Sequence, residues 1–119
     1  MVRYMTERAH KAGWANVTAQ LGGATDPGLA AASVDRVLIV DVWHHLADRV
    51  GFARGLAAAL RPGGQVIVVD FELTSDRGPP KEHKLAATAI ASDLAAAGLA
   101  TSMATETLPD QYIVVARKP

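Results

Sequence analysis

The sequence contains no cysteine. Disulfides, thiolate metal sites and cysteine nucleophiles are therefore excluded, and the composition fits a reducing, cytoplasmic setting. Charge of one sign is missing too: Lys and Arg number 12, Asp and Glu number 12, and the formal net charge is +0. With no basic excess, neither phosphate-driven nucleic-acid binding nor binding to an anionic membrane is expected. No apolar run reaches the ~18 residues of a membrane span. The opening MVRYMTERAHK is charged from its third residue and lacks the apolar centre of a signal peptide. Neither a G-x-S-x-G nor a phosphate-binding glycine loop is present, so hydrolase and kinase chemistry have no support.

What the chain does have is apolar residues. They make up 50% of its 119 positions against 20% charged, which reads as one globular domain over residues 1–119. Val2, Met5, Ala9 and Ala12 lie at helical spacing and stop at Gly13, with Trp14 as a hydrophobic closure. Asn16 to Leu21 alternates, with Val17, Ala19 and Leu21 on one face, and predicts a short strand. Gly22 to Ser33 is turn-rich, and Asp26-Pro27-Gly28 is its clearest turn.

Val37 to Val40 and Val66 to Val69 are continuous apolar runs, the pattern of parallel strands covered on both faces. Between them Phe52, Leu56 and Leu60 recur four apart, a helix that Arg61-Pro62-Gly63-Gly64 brings to an end. Lys84 to Ala97 predicts a second core-facing helix, closed by Gly98. Two strand-like pieces, Ala100–Thr107 and Tyr112–Ala116, are joined at Leu108-Pro109-Asp110 with no helix between them, which predicts an antiparallel hairpin. Strand and helix alternate elsewhere, so the class is α/β.

Three stretches resemble class I S-adenosylmethionine-dependent methyltransferases. Ser33 to His45, SVDRVLIVDVWHH, is similar to that family's fourth strand and the turn after it. Leu56 to Val69, with LRPGGQVIVV, is similar to the helix, Pro-Gly-Gly turn and fifth strand. Gln111 to Lys118, QYIVVARK, is similar to the last strand of the terminal hairpin. The resemblance implies a Rossmann-like sheet with helices on both faces and a C-terminal antiparallel hairpin. It also places the family's first two strands, with their glycine-rich turn and ribose-binding acid, before Met1, so the chain reads as a partial, N-terminally shortened domain. In the family order three, two, one, four, five, seven, six, the third strand then loses its neighbour. Three outcomes follow: it closes on the fourth strand, another chain fills the gap, or Met1 is an internal methionine.

The same resemblance implies S-adenosylmethionine as cofactor. Asp26 matches the acid beside adenine, and it also reads as the initiator of its own Asp-Pro-Gly turn. Asp41, at the carboxyl end of a strand where open α/β sheets bind ligands, matches the position near the cofactor's methionine part; it also reads as a turn cap. His44 and His45 follow on the same rim. Histidine titrates near neutrality and suits proton transfer, and His44 is taken as the candidate catalytic residue. The alternative is that one histidine packs against the sheet and the other caps the helix near Ala47-Asp48. His83, in the loop-to-helix segment after the fifth strand, could reach the same crevice and also reads as solvated, and Trp43 reads as packed at least as readily as stacked on a ligand. The spacing of His44, His45 and His83 does not suit a shared metal ion.

The expected function is methyl transfer to a small-molecule acceptor. The alternative is a non-catalytic methyltransferase-like remnant that serves as an oligomerising or regulatory module, pairing exposed strand edges between copies. A nicotinamide dehydrogenase fits less well, because its fingerprint turn is absent and the terminal hairpin is foreign to it.

Overall fold

The computed structural model describes residues 1–106 and 108–119. Helix α1 (Val2–Ala12) ends where glycine permits: Gly13 takes φ 73°, its N–H meets the His10 carbonyl at 3.1 Å, and the Trp14 N–H meets that of Ala9 at 2.9 Å. Strand β1 (Val34–Val40) follows a long irregular segment. A single 3-10 turn (Trp43–His45) and helix α2 (Arg49–Ala59) lead to strand β2 (Leu60–Phe71). A second such turn (Lys81–His83), helix α3 (Ala87–Ala96), strand β3 (Ala100–Met103) and strand β4 (Gln111–Arg117) complete the chain. The first hairpin strand is shorter than expected, and Thr107, its expected end, lies outside the described residues.

One sheet of four strands, in the order β1-β2-β4-β3, organises the molecule. β1 and β2 run parallel, and β4 is antiparallel to both β2 and β3. This is the order that the resemblance implies for the family's fourth, fifth, seventh and sixth strands. The alternation along β2 and β4 sends Val66, Val68, Tyr112, Val114 and Ala116 into one core with Leu56, Leu60, Ile90 and Leu94 from the helices and their ends. Full burial of each large apolar side chain contributes about 1.5–3 kcal/mol before the entropy of ordering is set against it.

The Pro-Gly-Gly turn is folded into β2 rather than standing before it. Val34 pairs with Leu60 and Arg36 with Gln65, so Arg61–Gly64 bulge out of the ladder. Gly63 holds φ 81°, and a Cβ on Gly64 would lie 2.9 Å from the Asp35 carbonyl oxygen, so side chains are excluded there. Lys118 then closes α2 from below, its Nζ donating to the carbonyls of Ala57 at 2.7 Å and Leu60 at 2.9 Å.

The expected strand at Asn16–Leu21 does not form. The segment is irregular, with Val17 and Leu21 exposed. Alternation favours a strand only where a neighbour supplies ladder hydrogen bonds, and none pairs with this one. It does not close on β1, whose second edge has no strand partner among the described residues. Among those residues no helix is long and apolar enough to cross a membrane.

Candidate active site

Because β1 and β2 are parallel, their carboxyl ends share one rim, and the residues that leave β1 pass over the end of β2. Asp41 makes that departure. Its N–H is still held by the Val69 carbonyl at 2.9 Å, but its φ is 59°. Aspartate tolerates this left-handed conformation better than most residues do, at a cost of about 1 kcal/mol. The 3-10 turn that follows sets Trp43 into the core and His44 over Asp70.

His44 and Asp70 form the most deeply buried polar pair on the rim. His44 Nδ1 lies 2.9 Å from Asp70 Oδ1 and 3.0 Å from Oδ2, and the two side chains are only 4% and 1% exposed. A carboxylate only accepts, so Nδ1 donates to it, and Nε2 is left without a protein partner. Asp70 Oδ1 also accepts the Phe71 N–H at 2.8 Å, which fixes the carboxylate plane. No described buried side-chain nitrogen or oxygen lacks a partner, and His44 Nε2 has none, so Nε2 sits at the exposed part of the ring. The result is an imidazole held in one orientation by Asp70.

Opposite Asp70 on β4 stands Tyr112. Burial raises its phenol far above the ordinary range, and the charges of Asp70 and then Glu72 add to that effect. It stays protonated and donates to the Leu85 carbonyl at 2.7 Å, tying β4 to the approach of α3.

Asp41 is tied across the end of β2: Gln111 Nε2 donates to its Oδ1 at 2.6 Å. Oδ2 has no protein partner and, by the same accounting as for Nε2, is open to solvent. Asp26 stands apart from these groups. Its Oδ1 accepts the Gly28 N–H at 2.7 Å, so the turn-forming reading holds. The turn sits against α2, where a Cβ on Gly55 would lie 2.7 Å from Pro27 Cδ and 3.5 Å from Asp26 Oδ2. Asp26 makes no hydrogen bond to Asp41 or His44.

The other candidates resolve as packing or solvent. Trp43 is fully buried, packs edge-on against Phe52 with ring centroids 6.4 Å apart, and donates from Nε1 to Asp93 Oδ2 at 3.0 Å. Arg49 Nε reaches the same oxygen at 2.8 Å. His45 is exposed, with its ring 4.2 Å from that of His44, and His83 is exposed in its own turn. The cap of α2 is neither histidine but Asp48, which accepts the Gly51 N–H at 2.9 Å. Sequence reasoning passed over Asp70 and Gln111. The one available signal was that Asp70 is an acid ending a buried strand, as Asp41 is.

Comparison with known proteins agrees with this architecture. Residues 1–68 match the family model described as a methyltransferase domain. A SAM dependent methyltransferase from Aquifex aeolicus superposes with a TM-score of 0.87 at 23% identity, covering 98% of this chain. The chain spans 62% of the length of that protein. Phosphoethanolamine N-methyltransferase 2 of Haemonchus contortus, solved with phosphomonomethylethanolamine and S-adenosylhomocysteine, gives a TM-score of 0.71 at 16% identity, over 95% of this chain and 40% of its own. The [4+2]-cyclase SpnF is similar at a TM-score of 0.78 and 17% identity, over 99% of this chain and 62% of its own. A cyclase on this fold shows that architecture alone does not fix the reaction. Sheet order, rim and family match together place the chain in the methyltransferase-domain family, with the class I, Rossmann-like methyltransferase fold.

Proposed function

We propose that this chain binds S-adenosylmethionine on the rim formed by β1 and β2 and takes part in methyl transfer to a small molecule, with His44 as general base. The observation that carries the reading is the His44–Asp70 pair, which leaves Nε2 bare and oriented. The residues suit the cofactor chemically. Asp41 Oδ2 is an unpartnered acceptor fit for an ammonium or hydroxyl donor, and Asp26 retains Oδ2 for an amino group. When bound, the cofactor supplies a methyl group on a sulfonium, a good leaving group.

The chain's own part is positioning and proton transfer. With the cofactor bound and supplying the methyl group, the proton released by the acceptor oxygen or nitrogen would pass to His44 Nε2. Asp70 holds the ring for that transfer and stabilises the imidazolium that results.

Titration calorimetry of the folded chain with S-adenosylmethionine is expected to show one saturable site; absence of heat would sink the reading. Transfer of labelled methyl to a panel of small phenols, carboxylic acids and amines tests the base. His44→Gln is expected to slow transfer to the phenols by about 10²-fold with cofactor binding unchanged. Equal rates would remove His44 from the mechanism.

A second reading rests on the open edge of β1. The bond from the Asp41 N–H to Val69 sets the phase of the ladder, so Arg36, Leu38 and Val40 turn their backbone N–H and C=O groups away from β2. Leu38 is 67% exposed and Val40 45%, and neither proline nor lysine blunts the strand. On this reading two copies pair β1 edges across a twofold axis. Light scattering is then expected to show a concentration-dependent dimer that Leu38→Lys shifts to monomer. A wild-type monomer at all concentrations would exclude the dimer.

A further inference from the structure

We infer that Gln111 is a positioning residue for Asp41 and sets which carboxylate oxygen meets the ligand; this rests on the proposed function above, which puts a donor group of the cofactor at Asp41. Gln111 opens β4 and pairs with Phe71 of β2, while Asp41 leaves β1 on the far side of β2. Their bond therefore crosses the end of a whole strand, from one neighbour of β2 to the other, a span of two inter-strand spacings or ~10 Å of backbone. A contact 70 residues apart in sequence, 2.6 Å long and part-buried, joins the two flanks of the rim.

The chemistry of the partner matters. The Asp41 backbone is held by its own N–H bond to Val69 and by its unusual φ of 59°, so the main freedom left to the residue is rotation of its carboxylate. The Gln111 amide removes that freedom by occupying Oδ1. Being neutral, it orients the carboxylate without neutralising it, as a lysine or arginine in its place would do. What remains is a carboxylate with one oxygen, Oδ2, that has no protein partner. That arrangement suits a cationic amine or a hydroxyl donor, and not an anion.

Calorimetric binding of S-adenosylhomocysteine, with thermal unfolding recorded on the same samples, tests this. Gln111→Leu is expected to weaken binding roughly tenfold, the loss of one hydrogen bond to a charged group. Gln111→Glu is expected to weaken it further at neutral pH, and to regain much of the loss at about pH 5, where a proton shared between the two carboxyls restores a donor. The reciprocal double variant Asp41→Asn with Gln111→Glu rebuilds the bond but moves the charge to β4. It is expected to recover thermal stability and not binding. Recovery of binding by the double variant would reduce the contact to a structural tie and overturn the inference. Unchanged binding by Gln111→Leu would overturn it as well. Wild-type protein that gives no heat removes the cofactor reading and this inference together, whereas the other two outcomes leave the cofactor reading standing.

Discussion

Asp70→Asn is expected to leave the fold nearly intact while lowering methyl transfer by about 10²-fold or more. The asparagine keeps the shape of Asp70 and, through its carbonyl oxygen, still accepts the Phe71 N–H now bound to Oδ1. Its amide nitrogen takes the Oδ2 position, 3.0 Å from His44 Nδ1, where it can only donate, while Oδ1, 2.9 Å from the same ring nitrogen, is shared with the Phe71 N–H. The imidazole adapts by moving its proton to Nε2, so Nδ1 becomes the acceptor. The ring stays in place with its basic nitrogen turned inward, and no lone pair faces the rim. Asp70→Ala behaves differently. It leaves the His44 Nδ1–H and the Phe71 N–H without an acceptor at a site where the two side chains are 4% and 1% exposed. The expected cost is about 3 kcal/mol of stability, since each buried unsatisfied donor costs about 1–3 kcal/mol. Nitrogen-15 chemical shifts of the imidazole report the tautomer, and urea unfolding reports the stability. Wild-type rates in Asp70→Asn, with an inverted tautomer confirmed, would show that the orientation of His44 does not matter to catalysis.

The division between what the residues announce and what they conceal follows the range of the interactions. Val66–Val69 could be read as a buried strand because its apolar run records burial; Val37–Val40 reads the same way but is an edge strand with Leu38 and Val40 exposed, and the helix between the two makes their pairing parallel. Gly13 and Gly98 mark helix ends through backbone conformations that other residues disfavour; both have positive φ in the structure. The hairpin was legible because its link is short. Asn16–Leu21 misled for the complementary reason: alternation is a local pattern, and strand formation also needs an edge to pair with. The site lay further from view. His44 and Asp70 are 26 residues apart and Asp41 and Gln111 are 70 apart, so both contacts exist only once the order β1-β2-β4 is known. Asp26 was ambiguous in sequence because one carboxylate has two oxygens. One of them makes the turn, and the other makes no protein hydrogen bond.

Trp43→Ala is expected to be the most destabilising single truncation near the rim, at about 4 kcal/mol. The side chain is fully buried, so removing it opens a cavity against Phe52 and leaves Asp93 without its indole donor. Asp93 is itself only 8% exposed and would retain one partner, Arg49. A loss of that size is a large share of the 5–15 kcal/mol typical of a domain. Trp43→Phe separates the two contributions. It keeps most of the aromatic volume but not the N–H, and the expected loss falls to about 1–2 kcal/mol. Unfolding has to be followed by circular dichroism, because Trp43 is the buried member of the two tryptophans and Trp14 is 49% exposed. A change within about 1 kcal/mol for Trp43→Ala would mean that the core collapses onto the space. The expected loss bears on function as well as stability. Trp43 is the anchor of the turn that carries His44, fastening it to α3 through Asp93 just as Asp70 fastens it to β2. With that anchor removed, His44 keeps its partner and loses its platform. The phenylalanine variant is therefore expected to retain more of the base's contribution to methyl transfer than the alanine variant does.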